Sequence, residues 1–255
     1  MKIDSGINNI VIKLDQVSKE YILHHQKPTL VENIFKLGHS ESILALKNIN
    51  LEIKRGEKIG IIGDNGSGKT TLLKIISGIT TPTKGRVVVK GRIATLVDLE
   101  AGFHPDLTGE ENIFINGMLL GMSKKEINNQ FYKIIEYSGL SKFIDAPFYT
   151  YSSGMRLRLG FAIAIHSNPD ILLLDEVLAV GDGEFQEKTY TTIQNLINEK
   201  KTIIYISHIL PVITKLCQKV IWINKGTIQD IGRSDKMVKN YQVGLNILTK
   251  SILIG

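Results

Sequence analysis

Residues 58–77 read KIGIIGDNGSGKTTLLKIIS: a short apolar strand runs into a glycine-rich octet and out into a helical pattern that stops at Gly78. The octet, residues 63–70, matches G-x-x-x-x-G-K-[ST], and the strand before it and helix after it are the context this motif requires. Gly63, Gly66 and Gly68 let the backbone curl so that successive N–H groups point inward at phosphate oxygens, with Asp64, Asn65 and Ser67 filling the loop between them. The helix N-terminus adds partial positive charge. Lys69 is placed to reach the β- and γ-phosphates, the Thr70 hydroxyl to bind Mg²⁺, and Thr71 to add a phosphate contact.

A loop of this kind needs a parallel sheet behind it, and the rest of the chain supplies one. Residues 171–174 (ILLL, after Pro169) and 203–207 read as strands buried on both faces. Residues 220–223 pair with 227–231 across an Asn-Lys-Gly turn. Earlier come strand patterns at 10–14, 49–53 and 86–89, the last after a turn at 82–85. Residues 110–144 are helical in pattern, interrupted at Gly121, Ser123 and Gly139. The expectation is an α/β core with a largely parallel sheet, an antiparallel β subdomain laid against it, and a helical subdomain at about 108–165. The main domain spans residues 1–235, with a short C-terminal helix or tail at 236–255.

Two strand ends bear polar groups where ligands collect in a parallel sheet. Asp175 closes the ILLL strand, and a carboxylate there suits magnesium. Glu176, next in line, is placed to polarise the water that attacks a γ-phosphate. His208 follows the strand at 203–207, where a neutral imidazole can hydrogen-bond the terminal phosphate and the attacking water.

Composition excludes several alternatives. The chain of 255 residues has one cysteine, Cys217, so an intramolecular disulfide framework and a multi-cysteine zinc site are ruled out. The opening MKIDSGINNI lacks the apolar core of a signal peptide. The most apolar stretch, 202–217, is broken by Ser207, His208, Pro211 and Lys215, well short of a membrane span. A cytosolic protein, or one held at a membrane through a partner, is expected. The net charge of +6 fits an anionic partner or a generally basic solvated surface.

Residues 24–38 (HHQKPTLVENIFKLG) form a short insertion between two strands, with Thr29 and Glu32 at capping-box spacing and Leu30, Ile34 and Leu37 on one face. The helix expected at 28–38 either packs on its own domain or docks a partner.

The stretch YSSGMRLR, residues 151–158, opens a helix shortly before ILLLDE. Ser152 can cap that helix. Ser152, Ser153 and Gly154 also make a second anion-binding turn, which the chain's own phosphate loop does not need. Two such devices in one chain suggest two copies facing head to tail, each completing the other's site.

In this order the motifs resemble those of nucleotide-binding subunits of ABC transporters, over about residues 10–231. GDNGSGKTT is similar to the Walker A motif, ILLLDE to Walker B, His208 to the switch histidine and LAVGD (178–182) to the D-loop. YSSGM occupies the signature position usually written LSGGQ. The resemblance implies a homodimer that binds and hydrolyses ATP with Mg²⁺ beneath an integral membrane permease, at the cytoplasmic face of the cell membrane. It makes Glu176 the general base, and has Lys69 and the signature turn stabilise charge on the transferring phosphoryl group. Asp182 becomes a contact across the dimer, and Tyr21 the aromatic that stacks on adenine. Ser153 and Met155 depart from the signature, Val177 from the proline after Glu176, and Asp98 stands where a metal-binding glutamine is expected. With DEVLAVGD and AGFHPDLTGEEN, these features resemble the branch that exports O-antigen, capsule and teichoic acid polysaccharides. The segment 98–112 is then expected to receive the permease. A lipid or drug exporter built on the same engine is the alternative. A non-transport relative acting on nucleic acid is a further one, and no nucleic-acid partner is expected.

Overall fold

The computed structural model describes residues 9–24, 40–97, 99–175 and 183–252. The amphipathic stretch 28–38, Asp98, Glu176, Val177 and the segment 178–182 with Asp182 lie outside the described residues.

The central sheet has six strands in the order β5-β6-β7-β3-β8-β9. These are β3 (Lys58–Ile62), β5 (Ile93–Thr95), β6 (Ile171–Leu174), β7 (Thr202–Ile206), β8 (Lys219–Asn224) and β9 (Thr227–Arg233). All pairings are parallel except β8–β9, which is the antiparallel hairpin expected across the Asn-Lys-Gly turn. Ile61 stands opposite Ile206 and Leu174 opposite Tyr205, so β3, β6 and β7 finish level with one another.

Side chains alternate across the sheet because strand residues point to opposite faces in turn. Ile171 and Leu173 enter one core with Ile61, Ile204 and Ile206, shared with helix α1 (Lys69–Ile76). Leu172 and Leu174 enter the other with Phe161, Phe185, Ile193 and Ile213. A fully buried Leu or Ile contributes roughly 1.5–3 kcal/mol, so a few of them outweigh the conformational cost of a tight phosphate-binding loop.

A second sheet, order β2-β1-β4, covers the first core: β1 (Ile10–His24), β2 (Ser40–Lys54) and β4 (Lys84–Val89), all antiparallel. β1 and β2 are 15 residues each, far longer than the stretches legible in the sequence. Gln16 (φ 51°) and Asn48 (φ 49°) adopt left-handed conformations, and the β1–β2 register shifts around them. The bulges break the alternation, which is why the pattern fades there although pairing continues.

Three helices form the remaining layer with a core of their own: α2 (Gly109–Leu119), α3 (Lys124–Ser138) and α4 (Ser153–His166), packed around Ile113, Ile127, Ile134, Leu159 and Phe148. Thr108–Glu111 and Ser123–Glu126 form capping boxes at the starts of α2 and α3, and Gly139 (φ 69°) ends α3. Arg92, beside β5, makes a bidentate contact with Glu126 at 2.7 and 3.0 Å, tying α3 to the central sheet. Helices α5 (Gly183–Asn198), α6 (Leu210–Leu216) and α7 (Ser234–Ile252) complete the chain. Strand β5 is too short for periodicity to reveal it.

Candidate functional site

The glycine loop crosses from β3 to α1 through a space that excludes side chains. A Cβ on Gly63 (φ 150°) would lie 2.1 Å from the Ile223 carbonyl oxygen, and one on Gly68 (φ 108°) 2.6 Å from that of Ala45. Both obstacles are backbone, so these glycines are required by close approach as well as by conformation. At Gly66 (φ 74°) an added Cβ would meet nothing within 4 Å among the described residues, which leave the crown of the loop open on that side. The β8–β9 turn braces the loop: Gly226 N–H donates to Ser67 O at 2.9 Å, and Lys47 N–H donates to Gly226 O at 2.8 Å. Nothing in the local sequence signals that brace, because its partners come from three separate segments.

Lys69 is 7% exposed, and its Nζ donates to the carbonyl oxygens of Gly63 and Asp64, each at 2.8 Å. The ammonium is thereby held at the loop. Ser67 is 4% exposed, and its hydroxyl has no hydrogen-bond partner among the described residues. A curled backbone, an orphaned buried hydroxyl and a fixed ammonium at a helix start fit a polyphosphate. Asp64, Asn65 and Thr70 are exposed and Thr71 is half-buried at the first turn of α1.

The level strand ends bring further groups to the same edge. Thr70 Oγ1 stands 3.5 Å from Asp175 Oδ2 at the end of β6. A hydroxyl and a carboxylate oxygen together suit a hard divalent cation that keeps water and phosphate ligands rather than a full protein cage. No group of three or more His, Cys, Asp or Glu that could hold a metal ion gathers among the described residues. His208 is exposed at the end of β7, between β6 and β3 in the sheet. Its turn is set by Ile209 N–H donating to Ser207 Oγ at 3.0 Å and Leu210 N–H to the His208 carbonyl at 3.1 Å.

Tyr21 lies on β1 opposite Ile43, its ring 37% exposed and Lys19 Nζ 5.0 Å from its centroid. Ala45, two residues further along β2 from Ile43, abuts Gly68 through its backbone. The tyrosine thus belongs to the strand pair flanking the loop.

Ser152, Ser153 and Gly154 sit elsewhere, at the N-terminus of α4. Ser152 Oγ accepts from Met155 N–H at 3.2 Å, the capping role open to it from sequence. Tyr151 donates its hydroxyl to Phe143 O at 2.6 Å while its ring packs 5.3 Å from Phe148. Burial, then the nearby Asp145, pushes that hydroxyl up to about 12, so it stays protonated to donate. Arg156 Nε donates to Tyr151 O at 3.1 Å, and its Nη1 lies 3.8 Å from Glu100 Oε2. This arginine links the serine-glycine turn to the segment after Asp98. Ser152 and Ser153 are exposed, and among the described residues a Cβ on Gly154 would meet only Ser152 Oγ, at 3.9 Å. The turn therefore faces outward, with a helix N-terminus behind it and rigid anchors on either side.

Comparison with known proteins agrees with this geometry. Residues 46–179 match the family described as ABC transporter. The O-antigen export system ATP-binding protein RfbB of Klebsiella pneumoniae is 39% identical over 239 residues, covering 91% of this chain and 97% of that protein. The RfbB protein of Myxococcus xanthus is 46% identical over 205 residues, 80% of this chain but 47% of that protein, so the chain spans about half the length of that relative. The teichoic acids export ATP-binding protein TagH of Listeria innocua serovar 6a is 41% identical over 235 residues, 91% of this chain and 70% of that protein. A dimeric post-hydrolysis structure of the ATP-binding cassette MJ0796 with ADP and Pi matches with a TM-score of 0.65 and 26% identity, covering 88% of this chain and 98% of that one.

Proposed function

The chain belongs to the ABC transporter family, and on that premise we propose that it is the ATP-hydrolysing subunit of an exporter that drives a lipid-linked surface polysaccharide through a separate membrane permease. The observation that carries the enzymatic part is the meeting of Lys69, Thr70 and Asp175 at one edge of the sheet, on a loop closed to side chains and open to an anion.

In this reading Lys69 turns from the Gly63 and Asp64 carbonyls to the β- and γ-phosphates, and the loop N–H groups hold the oxygens around it. Thr70 and Asp175 would hold Mg²⁺, with Asp98, at the position of the usual glutamine, as a further ligand. The ion would supply positive charge against that of the phosphates. Glu176 accepts a proton from the attacking water, and His208 orients that water and reports on the terminal phosphate. Tyr21 stacks on the base.

A second copy supplies what one chain lacks. Its Ser152–Gly154 turn delivers a helix N-terminus to the γ-phosphate, and its Asp182 contacts the facing glycine loop. Closure on ATP and opening after hydrolysis move the helical layer. A groove of about 160 Å³ between that layer and the central sheet, lined by Leu99, Phe103, Asn116, Leu119 and Gly160, suits an apolar side chain or two from a permease element. Leu119 is 68% and Met118 55% exposed beside it. No helix among the described residues is long and apolar enough to cross a membrane.

Polysaccharide as cargo is supported by the likeness to proteins named for O-antigen and teichoic acid export. Replacing Glu176 by Gln tests the mechanism: the variant should bind ATP and hydrolyse it very slowly. Near-normal turnover would remove Glu176 from the role.

A further inference from the structure

The glycine loop has a contact that its sequence motif does not imply. Tyr241, on α7, donates its hydroxyl to Asp64 Oδ1 at 2.8 Å, across 177 residues of chain. The ring is 8% exposed and meets Trp222 of β8 edge-on at 5.5 Å. Gly244, one turn along α7, brings its backbone against the same indole, where an added Cβ would lie 3.4 Å from Cη2. The next residue of β8, Ile223, presents the carbonyl that forbids a side chain at Gly63. Helix α7 and the loop thus touch twice, through Tyr241 directly and through β8.

Asp64 matters because of where its atoms lie. Its carbonyl accepts from both Lys69 Nζ and Ser67 N–H, at 2.8 and 3.1 Å, so its backbone sets the opening curve of the loop. Its carboxylate is a negative charge within the segment built to hold polyphosphate, and an unrestrained carboxylate there would oppose the ligand. The tyrosine hydroxyl draws it toward α7. Burial first, and then the bond to Asp64, hold that hydroxyl protonated.

We propose that Tyr241 is a positioning residue of the nucleotide site, fixing Asp64 so that the glycine loop is set for phosphate and making α7 a structural member of the site. This rests on the ATPase reading above, and its test is separable from it. With the wild-type chain hydrolysing ATP, Tyr241→Phe keeps the packing on Trp222 and removes only the hydroxyl. The KM for MgATP should rise roughly fivefold more than kcat changes, the effect of losing one hydrogen bond of ordinary net strength. Thermal unfolding of the nucleotide-free variant should match wild type within a few degrees, a readout that a purely structural tyrosine would move instead. Asp64→Asn and Asp64→Ala both remove the charge, but Asn retains an acceptor for the hydroxyl, so its KM should stay below that of Asp64→Ala. Adding Tyr241→Phe to Asp64→Ala should then raise KM no further. A wild-type KM in Tyr241→Phe, or fully additive effects of the two substitutions, would overturn the proposal. Absence of ATPase activity in the wild type would instead count against the ATPase reading.

Discussion

Thr70 Oγ1 and Asp175 Oδ2, 105 residues apart in the chain, stand 3.5 Å from one another at the head of α1 and the end of β6. That distance is long for a direct hydroxyl–carboxylate bond and short enough for both oxygens to ligate one cation. If the pair serves magnesium, Asp175→Asn keeps the shape and removes the charge. The magnesium concentration for half-maximal ATPase activity should rise at least about tenfold, while binding of metal-free ATP changes little. Titrating activity against Mg²⁺ at saturating ATP checks it.

The loop glycines should differ in their tolerance of alanine. At Gly68 a Cβ meets the Ala45 carbonyl at 2.6 Å and the left-handed conformation adds strain, so Gly68→Ala should cost about 3 kcal/mol or more. At Gly66 only the conformational penalty applies, roughly 1–2 kcal/mol. Urea unfolding of the nucleotide-free variants gives both values, and equal costs would contradict the close approach of β2.

A site shared between two copies can be rebuilt from two broken ones. Lys69→Ala and Ser152→Arg should each abolish turnover alone. In a mixed dimer one site holds both defects and the other holds neither, so mixing equal amounts should restore up to about a quarter of wild-type activity. An inactive mixture that nevertheless forms heterodimers would show that each chain completes its own site.

Acid should weaken the fold through His166. Its imidazole is half-buried, with Nδ1 2.7 Å from Ala162 O and the ring edge-on to Tyr137 at 5.5 Å. Burial holds its pKa below the ordinary histidine value, and Lys133 and Lys188 push the same way against the Ala162 bond. Because the unfolded chain takes up the proton first, the contribution is intact above about pH 6.5 and is lost as pH falls toward the folded pKa. Urea midpoints at pH 7.5 and 5.5 should separate more in wild type than in His166→Gln.

The sequence by itself determined the chemistry of the phosphate loop and the strands that support it. Residues 63–70 are contiguous, and β3, β6 and β7 are short apolar runs whose ends put Asp175 and His208 on the same sheet edge. Such local patterns survive because neighbours along the chain supply the geometry. The interruptions at Ser123 and Gly139 bounded α3 for the same reason. Tertiary structure decided the rest: the Gly226 brace on Ser67, the Arg156 link toward Glu100, the Tyr241 hold on Asp64, and β1 and β2 continuing past their bulges. The first three join residues tens to more than a hundred positions apart through one or two polar contacts. A contact of that kind imposes no period and no spacing on either segment, so only the folded chain brings its partners together.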